Sequence, residues 1–252
     1  MTEHVIVTDE DATRIIRLRR PEKKNALTQD MYLTMSEAID SAQNNPAIRC
    51  MIITGGSGVF TSGNDVDDLP RASQGLGSRP LNAVKFLHSL VHNQKPIIAA
   101  VDGVAVGIGA TMVFHCDYVL ASTTATFSTP FIHLGLVPEA GSSLLLPLAM
   151  GHQRAFSMLV MGRAISAEDA KIAGFVNAVV APGHTEVEAR KVALDICALP
   201  VEAVTLSRRL LKQPPDELVR RIEQESHMFG ERMESPEAIA AFKSFLARKK
   251  KK

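Results

Sequence analysis

Tryptophan is absent from this sequence, tyrosine occurs twice, and aromatic residues make up only 5% of the chain. Neither sign of charge dominates, with 28 Lys plus Arg against 27 Asp plus Glu. A chain so balanced has no global field to recruit nucleic acid and few rings on which bases could stack. The three cysteines, Cys50, Cys116 and Cys197, are scattered, odd in number and set among apolar neighbours. That excludes a disulfide framework, and without a CxxC pair no metal site is expected. The longest apolar runs, at 96–101 and 144–150, fall far short of the ~20 residues that span a bilayer. The opening Met1-Thr2-Glu3-His4 lacks the basic start and apolar stretch of a secretion signal. The expectation is a reduced, cytoplasmic protein with neither membrane nor nucleic-acid partners, its basic end Arg248 to Lys252 a solvated tail.

The chain has 252 residues, 46% of them hydrophobic, enough to bury a substantial core. Val5, Val7, Ile15, Ile16 and Leu18, with Asp9-Glu10-Asp11 between, read as a hairpin. Thr28 caps a helix carrying Met31, Met35, Ala38 and Ile39 on one face, which runs to Asn44-Asn45-Pro46. A buried strand at 50–54 comes next, ending in Gly55-Gly56. A short helix is predicted at 66–71, a loop at 72–80, a helix to about 94, a strand at 96–101, then a glycine-bearing turn and another helix. Strand and helix alternating with short connections imply a mostly parallel, layered α/β arrangement. Beyond about residue 141 helices dominate, opened by Ser166, Pro200, Pro214-Pro215 and Ser235-Pro236. The organisation expected is a core over 1–195 and a C-terminal helical region over 196–252.

Within Leu134-Gly135-Leu136-Val137-Pro138-Glu139-Ala140-Gly141-Ser142-Ser143, Glu139 is the one carboxylate in an apolar, small or hydroxylated run. No Lys, Arg or His lies within five residues of it. Burying such a group is costly outside a site that uses it, although a surface glutamate capping the next helix fits the local pattern equally. Two other segments share a different logic. Phe60 to Asp65 follows one strand, and Gly103 to Ala110 follows the next. In each, glycines let the backbone turn sharply and present a bare N–H. Two such N–H groups at helix starts, aimed at one point, form an oxyanion hole. The string GVAVGIG lacks the GxGxxG spacing of a dinucleotide fingerprint.

Taken together and in order, these segments resemble the enoyl-CoA hydratase/isomerase (crotonase) superfamily over nearly the whole chain. Arg20-Pro21-Glu22-Lys23-Lys24-Asn25-Ala26-Leu27 is similar to its RP-x-x-x-NAL segment, and Phe60 to Asp65 to its F-x-x-G-x-D turn. Ala99, Val101 and Gly103 with Gly107 to Gly109 resemble its A-A-V-x-G…G-x-G segment. Ser166-Ala167-Glu168-Asp169-Ala170 through Gly174-Phe175-Val176 resembles its A-x-E-A-x-x-x-G-L-V stretch. The resemblance implies a ClpP/crotonase-like spiral of ββα units with a C-terminal helical region that packs in a homotrimer or hexamer. It implies an acyl-CoA thioester as substrate and no further cofactor. The backbone N–H groups of Asn64 and Ile108 would form the oxyanion hole, and Lys24, Asn25, Ala26, Ser62, Gly63 and Asp65 would bind the CoA portion.

Hydratases of that family use two glutamates, whose places here hold Thr111 and Phe131. Glu139 stands instead where the Δ3,Δ2-enoyl-CoA isomerase branch keeps its single catalytic glutamate. The resemblance therefore implies transfer of a proton from C2 to C4 of a 3-enoyl thioester. Isomerisation of a ring-derived acyl-CoA, a marginal hydratase or another enolate-forming reaction, and an idle CoA-binding scaffold are the competing readings. His133 is expected to be a satisfied structural histidine, and Asp65 and Asp117 to shape their turns. Lys23, Lys24, Lys243 and Arg248 are candidates for the CoA phosphates. The last helix, with Ile239, Phe242, Phe245 and Leu246 on one face, is expected to pack by that face.

Overall fold

Alternation in the first twenty residues produces a hairpin, β1 (Val5–Glu10) antiparallel to β2 (Thr13–Leu18). The structure is a computed structural model and describes residues 2–56, 58–65 and 81–249. The helix expected at 66–71 and the loop at 72–80 lie outside the described residues. Thr28 caps α1 (Gln29–Gln43), its hydroxyl accepting the Met31 N–H. Next come β3 (Cys50–Thr54), β4 (Val59–Thr61), α2 (Leu81–His92), β5 (Ile97–Val101), β6 (Val104–Val106) and α3 (Ile108–Thr111). After a 3-10 turn at Met112–His115, β7 (Tyr118–Ser122) and β8 (Thr126–Ser128) lead through a second 3-10 turn, Pro130–Leu134, to α4 (Ser142–Met150).

The pairs β3–β4, β5–β6 and β7–β8 repeat one motif. Each lays its first strand in a large sheet ordered β1-β2-β3-β5-β7-β10 and its second in a small sheet ordered β4-β6-β8-β9. Here β9 is Ile165–Ser166 and β10 is Ala178–Val180. Both sheets are parallel except at one edge. This is the spiral of ββα units implied by the family resemblance. One expectation needs correcting: the Gly103–Ala110 passage is not a simple turn, because Val104–Val106 pairs with β4 and β8.

Every residue of β3 and β5 is buried, as parallel strands covered on both faces require. Period-two alternation divides them. Ile15, Ile52, Ile98 and Leu120 face Ala189 and Ala193 of α7 (Thr185–Ala198), while Ile16, Ile53, Ala99 and Val101 face the main core. Along the chain, α4 and α7 are separated by α5 (His152–Leu159) and α6 (Ala167–Ala173), the latter capped by Ser166, whose hydroxyl accepts the Asp169 N–H at 3.1 Å. Three helices close the chain: α8 (Val201–Leu211), α9 (Pro215–Met233) and α10 (Pro236–Lys249). Asp117 ties α8 to the core by pairing with Arg208 at 2.8 Å and Lys212 at 3.3 Å while accepting the Ile97 N–H. In α10 it is Ala238, wholly buried, and Phe242 that pack on the core. Ile239, expected on the packed face, is 40% exposed, and the Leu246 side chain lies outside the described residues. Among the described residues no helix is long and apolar enough to cross a membrane.

One core group makes folding sensitive to acid. His115 is buried and shares a hydrogen bond with the Ala140 carbonyl at 2.8 Å, and desolvation lowers its pKa from 6.5 to about 4. The unfolded chain therefore binds a proton that the folded chain refuses between those values. The stability His115 allows is complete above pH 6.5 and falls by about 3 kcal/mol as pH drops to 4. In denaturant titrations across this window, the free energy of unfolding of His115→Gln should fall less with acid than that of wild type by about that amount.

Candidate active site

The site begins with Asn25, a residue the family resemblance assigned to CoA binding. The resemblance gives that role to the backbone of the segment, and the Asn25 side chain is committed inside the protein. The Nδ2 group donates to the carbonyls of Gly55, Val59 and Phe60 at 2.9–3.1 Å, and Oδ1 accepts the Arg20 N–H. Asn25 thus staples the 20–27 segment to β4, the strand that leads into the Ser62–Asp65 turn. Asp65 acts with it. Its carboxylate is buried and receives Arg20 Nη1 at 2.6 Å, and the same nitrogen donates to the Ala26 carbonyl. The neighbouring backbone closes the joint, with Ser62 N–H donating to Lys24 O at 2.9 Å and Leu27 N–H to Gly63 O at 2.8 Å. Lys24, Asn25, Ala26, Ser62, Gly63 and Asp65 are therefore brought to one place, with exposed Lys23 and Lys24 at its rim.

Asn64 forms a parallel bridge to Leu27 in which the flanking groups do the bonding. In that pattern the N–H of Asn64 itself faces the other side of the strand. On that side lies the second turn. A Cβ on Gly63 would come within 2.7 Å of the Val106 carbonyl oxygen, and one on Gly109 within 2.5 Å of Thr61 Cγ2. Only side-chain-free positions allow so close an approach, and Gly63 also holds φ +89°. Ile108 opens α3 directly after Gly107, so its N–H has no intrahelical acceptor. Neither the Asn64 nor the Ile108 N–H donates a bond among the described residues. The Tyr32 hydroxyl donates to Asn64 Oδ1 and fixes its side chain.

Glu139 is buried, 3% exposed, in the segment between the Pro130–Leu134 turn and α4. That segment is held against α3 because His115, one 3-10 turn beyond Thr111, bonds to Ala140. Phe131 lies between Gly107 and the C-terminal helices: its ring edge would be 3.8 Å from a Cβ on Gly107, and it meets Phe229 of α9 edge-on with centroids 6.4 Å apart. Leu136, Phe229 and Ala238 complete this apolar wall. Thr111 is fully buried, and its hydroxyl finds no hydrogen-bond partner among the described residues. His133 is exposed, with its ring laid over Gly162.

Two groups near Glu139 escaped sequence reasoning. One is His115. The other is Glu225 on α9, buried, which accepts the Gly141 N–H at 2.6 Å, the Ser143 N–H at 2.9 Å and the Ser143 hydroxyl at 2.6 Å. Burial raises the pKa of Glu225. The donors from Ser143 and Gly141 oppose that rise, and the charge of Glu139 adds to it. Neither residue belongs to a local motif, and each reaches the site from distant sequence.

The arrangement brings together two backbone N–H groups without a backbone acceptor among the described residues, the buried carboxylate of Glu139 and an apolar wall. A profile of the enoyl-CoA hydratase/isomerase family matches residues 8–252. Enoyl-CoA delta isomerase 2 of Rattus norvegicus is 33% identical over 98% of this chain, which spans 64% of that protein's length. A crotonyl-CoA hydratase of Syntrophomonas wolfei is 32% identical over 82% of this chain and 80% of its own. The structure of Pseudomonas aeruginosa OdaA superposes with a TM-score of 0.91 at 42% identity, covering 97% of this chain and 99% of that one. Sequence, fold and site agree that the chain belongs to the enoyl-CoA hydratase/isomerase family.

Proposed function

We propose that the protein is an enoyl-CoA isomerase that moves a double bond from C3 to C2 of an acyl-CoA, with Glu139 as its one acid–base group. The observation that carries this reading is the buried Glu139, and the family resemblance puts Thr111 and Phe131 where hydratases keep their two glutamates. Addition of water needs a group to take its proton and one to deliver a proton. Neither a threonine hydroxyl nor a phenyl ring is an acid or base near neutral pH. A 3-enoyl thioester makes a smaller demand. The carboxylate of Glu139 takes the C2 proton, and the electron pair spreads through the thioester carbonyl as a dienolate. The same carboxylic acid then returns the proton at C4, leaving the double bond between C2 and C3.

The developing oxygen charge would be met by the N–H groups of Asn64 and Ile108, one such donor being worth about 3–4 kcal/mol in related chemistry. Phe131 and Phe229 would keep water from the dienolate. Lys23 and Lys24, both exposed, would meet the CoA phosphates. On α8, Leu210 and Leu211 are 86% and 85% exposed, which supports burial of this face between copies in a homotrimer or hexamer. Sedimentation equilibrium should then return three or six chain masses, and a monomer would refute the assembly.

With 3-hexenoyl-CoA, the ultraviolet band of the conjugated enoyl thioester should grow, and Glu139→Gln should slow it by about a thousandfold. Decay of that band from a 2-enoyl-CoA would instead establish hydration. Gly63→Ala, whose methyl would collide with the Val106 carbonyl, should cut kcat/KM by about tenfold or more by moving the Asn64 donor off line.

A further inference from the structure

We propose that His115 and Glu225 are positioning residues for Glu139, gripping from opposite ends a single peptide group one residue beyond it. The proposal rests on Glu139 being the base. The peptide in question joins Ala140 to Gly141. Its carbonyl takes the hydrogen bond from His115 at 2.8 Å, and its N–H donates to Glu225 Oε2 at 2.6 Å. Both gripping groups are buried, at 3% and 5% exposure.

The grip has something to hold. Ala140 sits at φ +64°, in the left-handed region, although it carries a Cβ. That conformation costs an alanine about 1 kcal/mol or more and persists only where the surroundings impose it. Relaxation of Ala140 would rotate the backbone that carries Glu139 and swing its carboxylate away from the substrate carbon. The Ser142 N–H donates to Glu139 O at 3.1 Å and closes the turn on its other side.

The two supports come from parts of the chain that the oxyanion hole and the C-terminal region also use. His115 ends the 3-10 turn that continues α3, the helix opened by Ile108. Base and oxyanion donor are therefore referenced to one short rigid piece. His115 is itself secured from behind, since Lys212 Nζ donates to its carbonyl at 2.6 Å. The three contacts of Glu225, from the Gly141 N–H, the Ser143 N–H and the Ser143 hydroxyl, are all donors, as suits an ionised carboxylate. Arg221 steadies the Ser143 hydroxyl at 3.1 Å. Capping of α4 alone would account for Glu225 at Gly141 and Ser143. It does not account for His115 on the other end of the same peptide, nor for Ala140.

The test is steady-state kinetics of the full chain with 3-hexenoyl-CoA, with thermal unfolding measured on every variant. Glu225→Gln must turn an amide NH2 or a mispaired oxygen toward these donors. Its kcat should fall about tenfold or more while KM stays within about threefold, the signature of a displaced base with substrate binding kept. His115→Leu should behave alike, and His115→Gln, which keeps a donor near the Nε2 position, should recover most of kcat. Ser143→Ala removes a cap contact but leaves the peptide gripped, so it should lower stability and keep kcat. The proposal is overturned if folded Glu225→Gln and His115→Leu keep kcat within about twofold. It is equally overturned if Ser143→Ala loses as much kcat as Glu225→Gln, since activity would then follow capping alone. Should Glu225→Gln fail to fold, the His115→Leu and His115→Gln pair decides. Glu139→Gln, run in parallel, separates the two readings: full activity there removes the base itself, whereas a dead Glu139→Gln beside unaffected grip variants removes only the grip.

Discussion

Two backbone turns, Thr61 to Asn64 and Val106 to Gly109, approach until no side chain fits between them. Everything at the site depends on that contact. A methyl on Gly63 or Gly109 would lie 2.5–2.7 Å from the opposite turn, closer than nonbonded atoms tolerate. The contact sets the two strands of the small sheet side by side, and Asn64 and Ile108 lie in the turns that follow them. A charge-stabilising element built from these peptide groups, as proposed, would have its positions fixed by sheet geometry and need no reorganisation when charge develops. Side-chain identity at Asn64 and Ile108 matters less than the glycines that flank them.

Much of this was legible in the sequence because it is local. A hairpin announces itself by alternation, a helix start by Thr28 or Ser166, a tight approach by glycines, and a functional acid by its isolation in an apolar run. The short strands β6, β9 and β10 were not legible: two or three residues carry no periodicity, and they exist as strands only because a neighbouring strand pairs with them. The side-chain role of Asn25 was hidden for a related reason. Its three carbonyl acceptors lie at Gly55, Val59 and Phe60, more than two dozen residues away. Its hydrogen-bonding capacity is used up in joining two segments, and no reading of the motif alone could reveal that. His115 and Glu225 are the extreme case. Each is an ordinary member of a helix or turn by local pattern, and each becomes part of the site only through tertiary packing.

The C-terminal helices decide what kind of site this is. Four residues of α9 and α10 lie on the 131–143 segment: Glu225 on Gly141 and Ser143, Phe229 on Phe131, Arg232 on the Gly135 carbonyl at 2.9 Å, and Ala238 beneath Gly135. The packing is close, since a Cβ on Gly135 would reach the Ala238 backbone at 2.9 Å. Phe131 lies between Gly107 and Phe229 in the apolar wall. The same packing that builds this wall also anchors the turn bearing Glu139. The apolar wall and the fixed position of Glu139 thus have one structural cause, the packing of α9 and α10 on the 131–143 segment.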